Sequence, residues 1–535
     1  MTQLLNMFGF LAVLLRAATL AFQSLVIGGV VFSALALRKD DELGAMAACR
    51  RLIRWCALAL AVTQFAFVGA DSAILQASAG ISFSDVASAG FFRAGLAAAL
   101  AALVCFAAAS FPGYRWFRST TLIASAMLLA SSVITSHAAA RLDNRAFLVC
   151  LTALHQAAAA VWIGGLPYLL IAVGKAGDTD AAQRISARFS RLAQWSVGAI
   201  LLGGIGLAFK YIDSIPALYG TSYGVMVLGK TVMVVELMTL GGFNFFLVRG
   251  LRKQPQPLLT RLRRFSEAEI GIGFTAILAA ASLTSQPPAA DIGKDIVRLP
   301  QIVERMSPRP PRFNSPPLNE LSPPTLPSDE NTLQSYVPGA VSHPSTAGDI
   351  AWSEYNHNWS GLVVLTMGIL AVMSRVFGMK WARAWPLAFL GLALFLFFRA
   401  DPEVWPLGQK GFWYSLTDPE VLQHRIFALM IVAFAAFEWG IQVGRIRSKM
   451  AALVFPGVCI AGGALLMTHS HALGNAKDEY LAELSHLPIA LFAVAAGWSR
   501  WLEQRLDTAW RRVPAMIWPV CFVAIGLILL FYREH

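Results

Sequence analysis

Apolar residues gather in long runs along this chain, and short polar links separate them. Crossing roughly 30 Å of hydrocarbon takes a helix of about 20 residues. About fourteen runs meet this requirement, near 12–36, 54–76, 92–111, 120–137, 146–173, 192–210, 224–248, 266–285, 357–378, 384–399, 422–443, 450–468, 481–499 and 514–532. The tenth is short, and Arg16 sits at the start of the first. The pattern predicts an all-α polytopic membrane protein of about fourteen transmembrane helices.

One stretch breaks the pattern. Residues 286–355 hold 13 of the 26 prolines, with the pairs Pro310-Pro311, Pro316-Pro317 and Pro323-Pro324 among them, and no hydrophobic period runs through it. Such composition predicts an extended extramembrane linker without a core of its own. The expected organisation is an eight-helix membrane domain over 1–285, the linker over 286–355 and a six-helix membrane domain over 356–535.

Composition agrees, with 56% hydrophobic and 14% charged residues, where soluble domains are about a quarter charged. A net charge of +12 raises nucleic acid as a partner, but the basic residues have another explanation. They fill alternate links: Arg38, Lys39, Arg50, Arg51 and Arg54 after the first run, Arg249 to Arg264 after the seventh, Arg500 to Arg512 after the thirteenth. The positive-inside rule places those links in the cytoplasm and leaves both termini and the proline-rich segment outside. Lipid, and not nucleic acid, is the expected surroundings. The first run has no basic leader or small-residue cleavage site, so it is expected to be a retained span. The six cysteines form no CxxC pair, which argues against a disulfide framework or thiolate metal site. The one GxxxxGK[ST] match, Gly224 to Thr231, lies inside an apolar run and not in a loop after a strand, so ATP is not the evident energy source and no enzymatic activity is expected.

The chemistry-bearing residues are histidines. Met467 closes the twelfth run, His469 and His471 end it on the far side, and His486 lies a turn or two into the thirteenth. Imidazole and thioether together suit a soft or borderline metal, copper above all. The layout Ser136-His137-Ala138 followed by His155 repeats as Ser470-His471-Ala472 followed by His486. His357 opens the ninth run and His424 the eleventh. Under the topology above, all seven membrane-associated histidines fall in the outer half, as a metal-capturing face would require. Ionisable groups within spans are functional candidates by default. The bland alternative is that each histidine bonds backbone at a helix end. A rival reading is a haem b electron carrier, in which two facing histidines hold the iron. Within the seventh run, Lys230 and Glu236 are expected to form an internal ion pair, and Met226, Met233 and Met238 to be core.

The spans LHQAAAAVWIGGLPYLL (154–170), FSRLAQWSVGAILLGGIGLAF (189–209) and TSYGVMVLGKTVMVVELMTLGGFNFFLV (221–248), and a run ending LTSQPP (283–288), carry a further signal. His155 before Trp162-Ile-Gly-Gly165, Tyr223-Gly224 before Lys230, and Asn244 late in the same span resemble the copper resistance protein D family of bacterial inner-membrane proteins. The resemblance covers roughly 1–290. HNWSG (357–361), DPEVLQHR (418–425) and HSHALGN (469–475) resemble an extension found in some members. Membership implies eight spans in the core, copper handling, and movement of copper between periplasm and cytoplasm. It also implies a separate periplasmic copper carrier as a partner.

Overall fold

The structure is a computed structural model that describes residues 2–37, 43–111, 116–251, 255–284, 286–292, 296–321, 346–399, 401–402, 404–413, 419–467 and 476–534. Among these residues the regular structure is helical, apart from one isolated bridge between Val404 and Lys410, and there are no strands. Among the described residues, twelve helices are long and apolar enough to cross a membrane. This is a multi-pass membrane protein. Two of the about fourteen expected runs fall outside this set. The run at 450–468 holds the helix Val454–Leu466, whose 13 residues rise only about 20 Å. The run at 481–499 lies in Ala476–Arg505, a helix with Lys477, Asp478, Glu479 and Glu483 in its first turns, so its apolar stretch is short.

The chain folds into two compact units. The first, Met1–Ile296, contains α1 (Thr2–Leu35), α2 (Leu43–Ala79), α3 (Gly90–Ser110), α4 (Phe117–Ile134), α5 (Arg145–Trp162), α6 (Leu166–Lys175), α7 (Thr179–Tyr211), α8 (Ser222–Gly250) and α9 (Pro255–Leu283). Helix α1 is central and packs on α2, α5 and α9. Around it, Ala57, Ala61, Ala98, Ala102 and Ala124 meet Val26, Leu60 and Leu128 in a core of small residues. Small side chains let helices approach closely in a bilayer, where van der Waals contact replaces the hydrophobic effect between helices. The closest approach is between α1 and the turn linking α5 to α6. A Cβ on Gly164 would stand 1.9 Å from the Ser24 carbonyl oxygen, and one on Gly28 would stand 2.4 Å from that of Ala160. Only glycine fits this crossing.

Helix starts follow local chemistry. Asp178 accepts from the Ala181 amide at 2.6 Å, and Thr221 from the Gly224 amide at 3.0 Å. Each satisfies a donor that a helix N-terminus leaves open. Within the spans, Thr19, Ser72 and Thr121 donate to the carbonyl four residues back, so these hydroxyls bring no unpaired group into the apolar interior.

The second unit begins at Val297 and contains α10 (Ala347–Arg375), α11 (Ala388–Arg399), α12 (Pro419–Gln442), α13 (Val454–Leu466), α14 (Ala476–Arg505) and α15 (Arg512–Leu530). A buried aromatic group of Trp385, Phe455, Trp518 and Phe522 forms its centre. The described part of the proline-rich segment packs on this unit. The Arg312 amide donates to Asn358 at 2.7 Å, and Asn358 donates onward to the carbonyls of Leu529 and Tyr532 at 3.3 Å. One buried amide thus joins that segment to both α10 and the end of α15.

Candidate functional site

In the first unit, a cavity of about 280 Å3 lies among α1, α2, α3, α4 and the end of α9. Arg16 and Gln23 reach it from α1, Gln64 and Asp71 from α2, Ser132 from α4, and His137 from beyond the end of α4. His137 donates from Nε2 to the Thr284 carbonyl at 3.0 Å. His155 is held elsewhere: it donates from Nδ1 to the Ile200 carbonyl of α7 at 3.1 Å. The two imidazoles therefore bond to different helices.

Further along this unit, two motif residues far apart in sequence converge. Asn244 of α8 donates to Ser266 of α9 at 3.3 Å, and both are buried. One turn on from Ser266, the Glu269 carboxylate is 1% exposed. A Cβ on Gly241 would meet Glu269 Oε1 at 3.0 Å and the Trp162 ring at 3.5 Å. Trp162, Asn244 and Glu269 thus share one junction of α5, α8 and α9. The expected Lys230–Glu236 ion pair is absent among the described residues, because six residues on a helix do not bring the two side chains onto one face. Met226 and Met233 are buried, as core residues would be, while Met238 is 39% exposed on the bundle surface.

In the second unit, His357 of α10 and His486 of α14 come together, with ring centroids 6.4 Å apart. His357 donates from Nδ1 to the Ser353 carbonyl at 2.8 Å. A histidine whose one ring N–H is held by a backbone carbonyl keeps the other nitrogen as a lone-pair donor, the arrangement that orients metal ligands. Two imidazole–metal bonds of about 2.0–2.1 Å each, with the ring radii added, span a gap of this size. Tyr532 stacks on His357 at 3.9 Å and lies 6.2 Å from His486. A porphyrin slotted between the imidazoles would overlap that phenol, whereas a single ion would not.

Beyond α15, Glu534 accepts from Ser353 at 2.5 Å and from Tyr532 at 2.9 Å. Burial raises its pKa, but these hydrogen bonds, with His357 and Arg305 nearby, together outweigh burial and hold the carboxyl below its ordinary 4.5. A carboxylate with a lowered folded-state value stabilises fully above its ordinary value and loses that contribution as pH falls through the lowered one. The packing of Tyr532 on His357 is accordingly expected to be constant above pH 4.5 and to loosen below it, as followed by tyrosine fluorescence of a Glu534→Gln variant beside the parent. Equal acid sensitivity of the two proteins would contradict this.

His424 meets Asp401 through Nδ1 at 2.6 Å, and Arg425 beside it is 7% exposed and donates to the Trp405 carbonyl at 3.0 Å. Met467 is buried at the end of α13. His469 and His471 lie outside the described residues. Among the described residues, no group of three or more histidine, cysteine, aspartate or glutamate side chains converges as a metal site. Sequence reasoning passed over Gln23, Gln64, Asp71, Glu269 and Tyr532. The available signal was a lone polar residue inside an apolar run.

Residues 183–283 match the family model described as "Copper resistance protein D". The chain carries a copper resistance protein D segment. That segment takes in nearly all of α7, the whole of α8 and α9, and with them Lys230, Glu236, Asn244 and Glu269. A curated relative named "Copper transport protein CutJ", from Bacillus subtilis (strain 168), is 32% identical over 163 residues. The alignment spans 30% of this chain and 29% of the relative. No solved structure matches.

Proposed function

We propose that this protein is a bacterial inner-membrane copper transporter that takes copper from the periplasmic side through imidazole ligands and passes it inward between helices. The copper resistance protein D match over 183–283 is the observation that carries this reading. The name of the Bacillus relative supports transport. The imidazole pair His357–His486 supplies the site we favour in the second unit, with the buried Met467 and the histidines His469 and His471 as further donors. His137, His155 and His424 are secondary capture positions. The work is translocation and not catalysis, and a periplasmic copper carrier is the partner that delivers the ion. The haem reading is set aside because Tyr532 occupies the flank of the pair.

We further propose that α13 and α14 complete fourteen spans, grouped eight and six, with both termini and residues 286–355 in the periplasm. The alternation of basic links supports this orientation. Cysteine labelling in intact cells should modify residues placed in 286–355 and leave those placed in 249–264 protected. Labelling of the second set and protection of the first would reverse the orientation and put the histidines on the cytoplasmic side.

A further inference from the structure

The cavity in the first unit contains polar groups that the protein itself leaves unsatisfied. Gln23 and Gln64 are 7% and 6% exposed, both line it, and neither amide has a hydrogen-bond partner among the described residues. The Ser132 hydroxyl on the same wall is buried without a partner. Arg16 reaches the cavity with its guanidinium 5.8 Å from the Phe67 ring and without a hydrogen bond. Asp71 acts on Arg16 through space but closes no ion pair with it among the described residues. Unpaired buried amides are destabilising unless an occupant supplies their bonds.

The donor set argues against a bare copper ion as that occupant. One imidazole and one carboxylate line the cavity, with no thiolate or thioether, and a guanidinium there repels a cation. A separated cation and anion, with amides and hydroxyls between, match a molecule that carries both signs. We propose that this cavity binds a small α-amino carboxylate. Its carboxylate lies on Arg16, its amino end is directed toward Asp71, and Gln23, Gln64 and Ser132 complete the hydrogen bonds. Arg is suited to the first role because its planar fork matches a carboxylate. The volume of about 280 Å3 equals about nine waters' share of liquid, room for an amino acid of histidine's size. The ligand has two sources. It is a free amino acid, or the same amino acid chelating copper(II), and in the second case the inference rests on the copper function proposed above.

The test is calorimetric titration of the full-length protein in lipid nanodiscs with glycine, histidine, acetate and the copper(II)–bis-histidine complex. Glycine and histidine are expected to bind, with acetate about tenfold or more weaker because it lacks the amino group that Asp71 receives. Arg16→Met is expected to weaken histidine binding about tenfold or more, the loss of a charge-assisted pair. Gln64→Leu, which keeps volume and removes one unpaired amide, should weaken it without loss of thermal stability. Tighter binding of the copper complex than of free histidine identifies the chelate as the ligand, and the reverse identifies the free amino acid. His357→Ala/His486→Ala should leave all these affinities unchanged, so a failed copper site would not disturb the result. The proposal is overturned if no amino acid binds, if acetate binds as tightly as glycine, or if folded Arg16→Met, or Gln64→Leu where the former does not fold, binds like the parent.

Discussion

Replacing Gly164 with valine is expected to remove most of the folded protein from the membrane, a larger loss than any histidine substitution should cause. The Cβ of any other residue would lie 1.9 Å from the Ser24 carbonyl oxygen, inside the crossing of α1 with the α5–α6 turn. Overpacking a core costs about 1–3 kcal/mol when side chains can yield. Here the obstacle is backbone, so the helices must part, and α1 is the element on which α2, α5 and α9 pack. Gly28→Val should act alike, since its Cβ would meet the Ala160 carbonyl at 2.4 Å. Gly198→Ala provides the control, for nothing lies within 4 Å of its Cβ position. Detergent-solubilised yield and melting temperature would show the contrast. A Gly164→Val protein that melts like the Gly198→Ala protein would disprove the crossing.

The second large effect is expected in the other unit. Glu503 of α14 has a side chain 2% exposed, lies 3.3 Å from Arg375, and accepts from Arg500 and from Trp518 Nε1, the latter at 2.8 Å. Arg375 in turn donates to Gln442 at 3.0 Å, and Gln442 to Glu438 at 2.6 Å. Removing one partner of a buried ion pair costs about 3–5 kcal/mol, because the opposite charge stays buried without compensation. Glu503→Ala leaves two arginines in that position, so it should fall at the upper end. Glu503→Gln keeps an acceptor for Trp518 and should recover part of the loss. Trp518 packs against Phe455 and Trp385, so tryptophan near-ultraviolet dichroism reports the damage directly. An unchanged spectrum and melting curve in Glu503→Ala would refute the network's structural role.

Helices were legible in this sequence because a bilayer demands long apolar runs, and the twelve membrane-length helices follow those runs closely. Outside that set, α13 is only 13 residues long, a length that hydropathy averaging does not resolve. Charge was legible in sum but not in detail. Arg500 was expected in a cytoplasmic link and is instead 4% exposed against Glu503. Alternation of charge reports which side a link lies on, not which side chains turn inward. The sites were least legible, since each draws single residues from separate runs. Arg16, Gln64, Ser132 and His137 look like isolated exceptions on three stretches until the bundle brings them to one cavity. His357 and His486 are separated by the whole of α11, α12 and α13, and no local spacing foretells their approach. Residue type, by contrast, was informative: histidine in an apolar chain named the chemistry before the geometry named the pair.

The claim that most needs a direct measurement is that the imidazoles of His357 and His486 hold copper. Purified full-length protein and its His357→Ala/His486→Ala variant, both shown to melt alike, should be titrated with copper under competition from a chromogenic chelator. Losing one member of the shell that orients a ligand already costs 10–100-fold in metal affinity, so losing both ligands should weaken the site by about 100-fold or more. Tyr532→Phe, which keeps the ring beside the pair, should bind like the parent. A double variant that binds copper with the parent's affinity and stoichiometry would contradict the account.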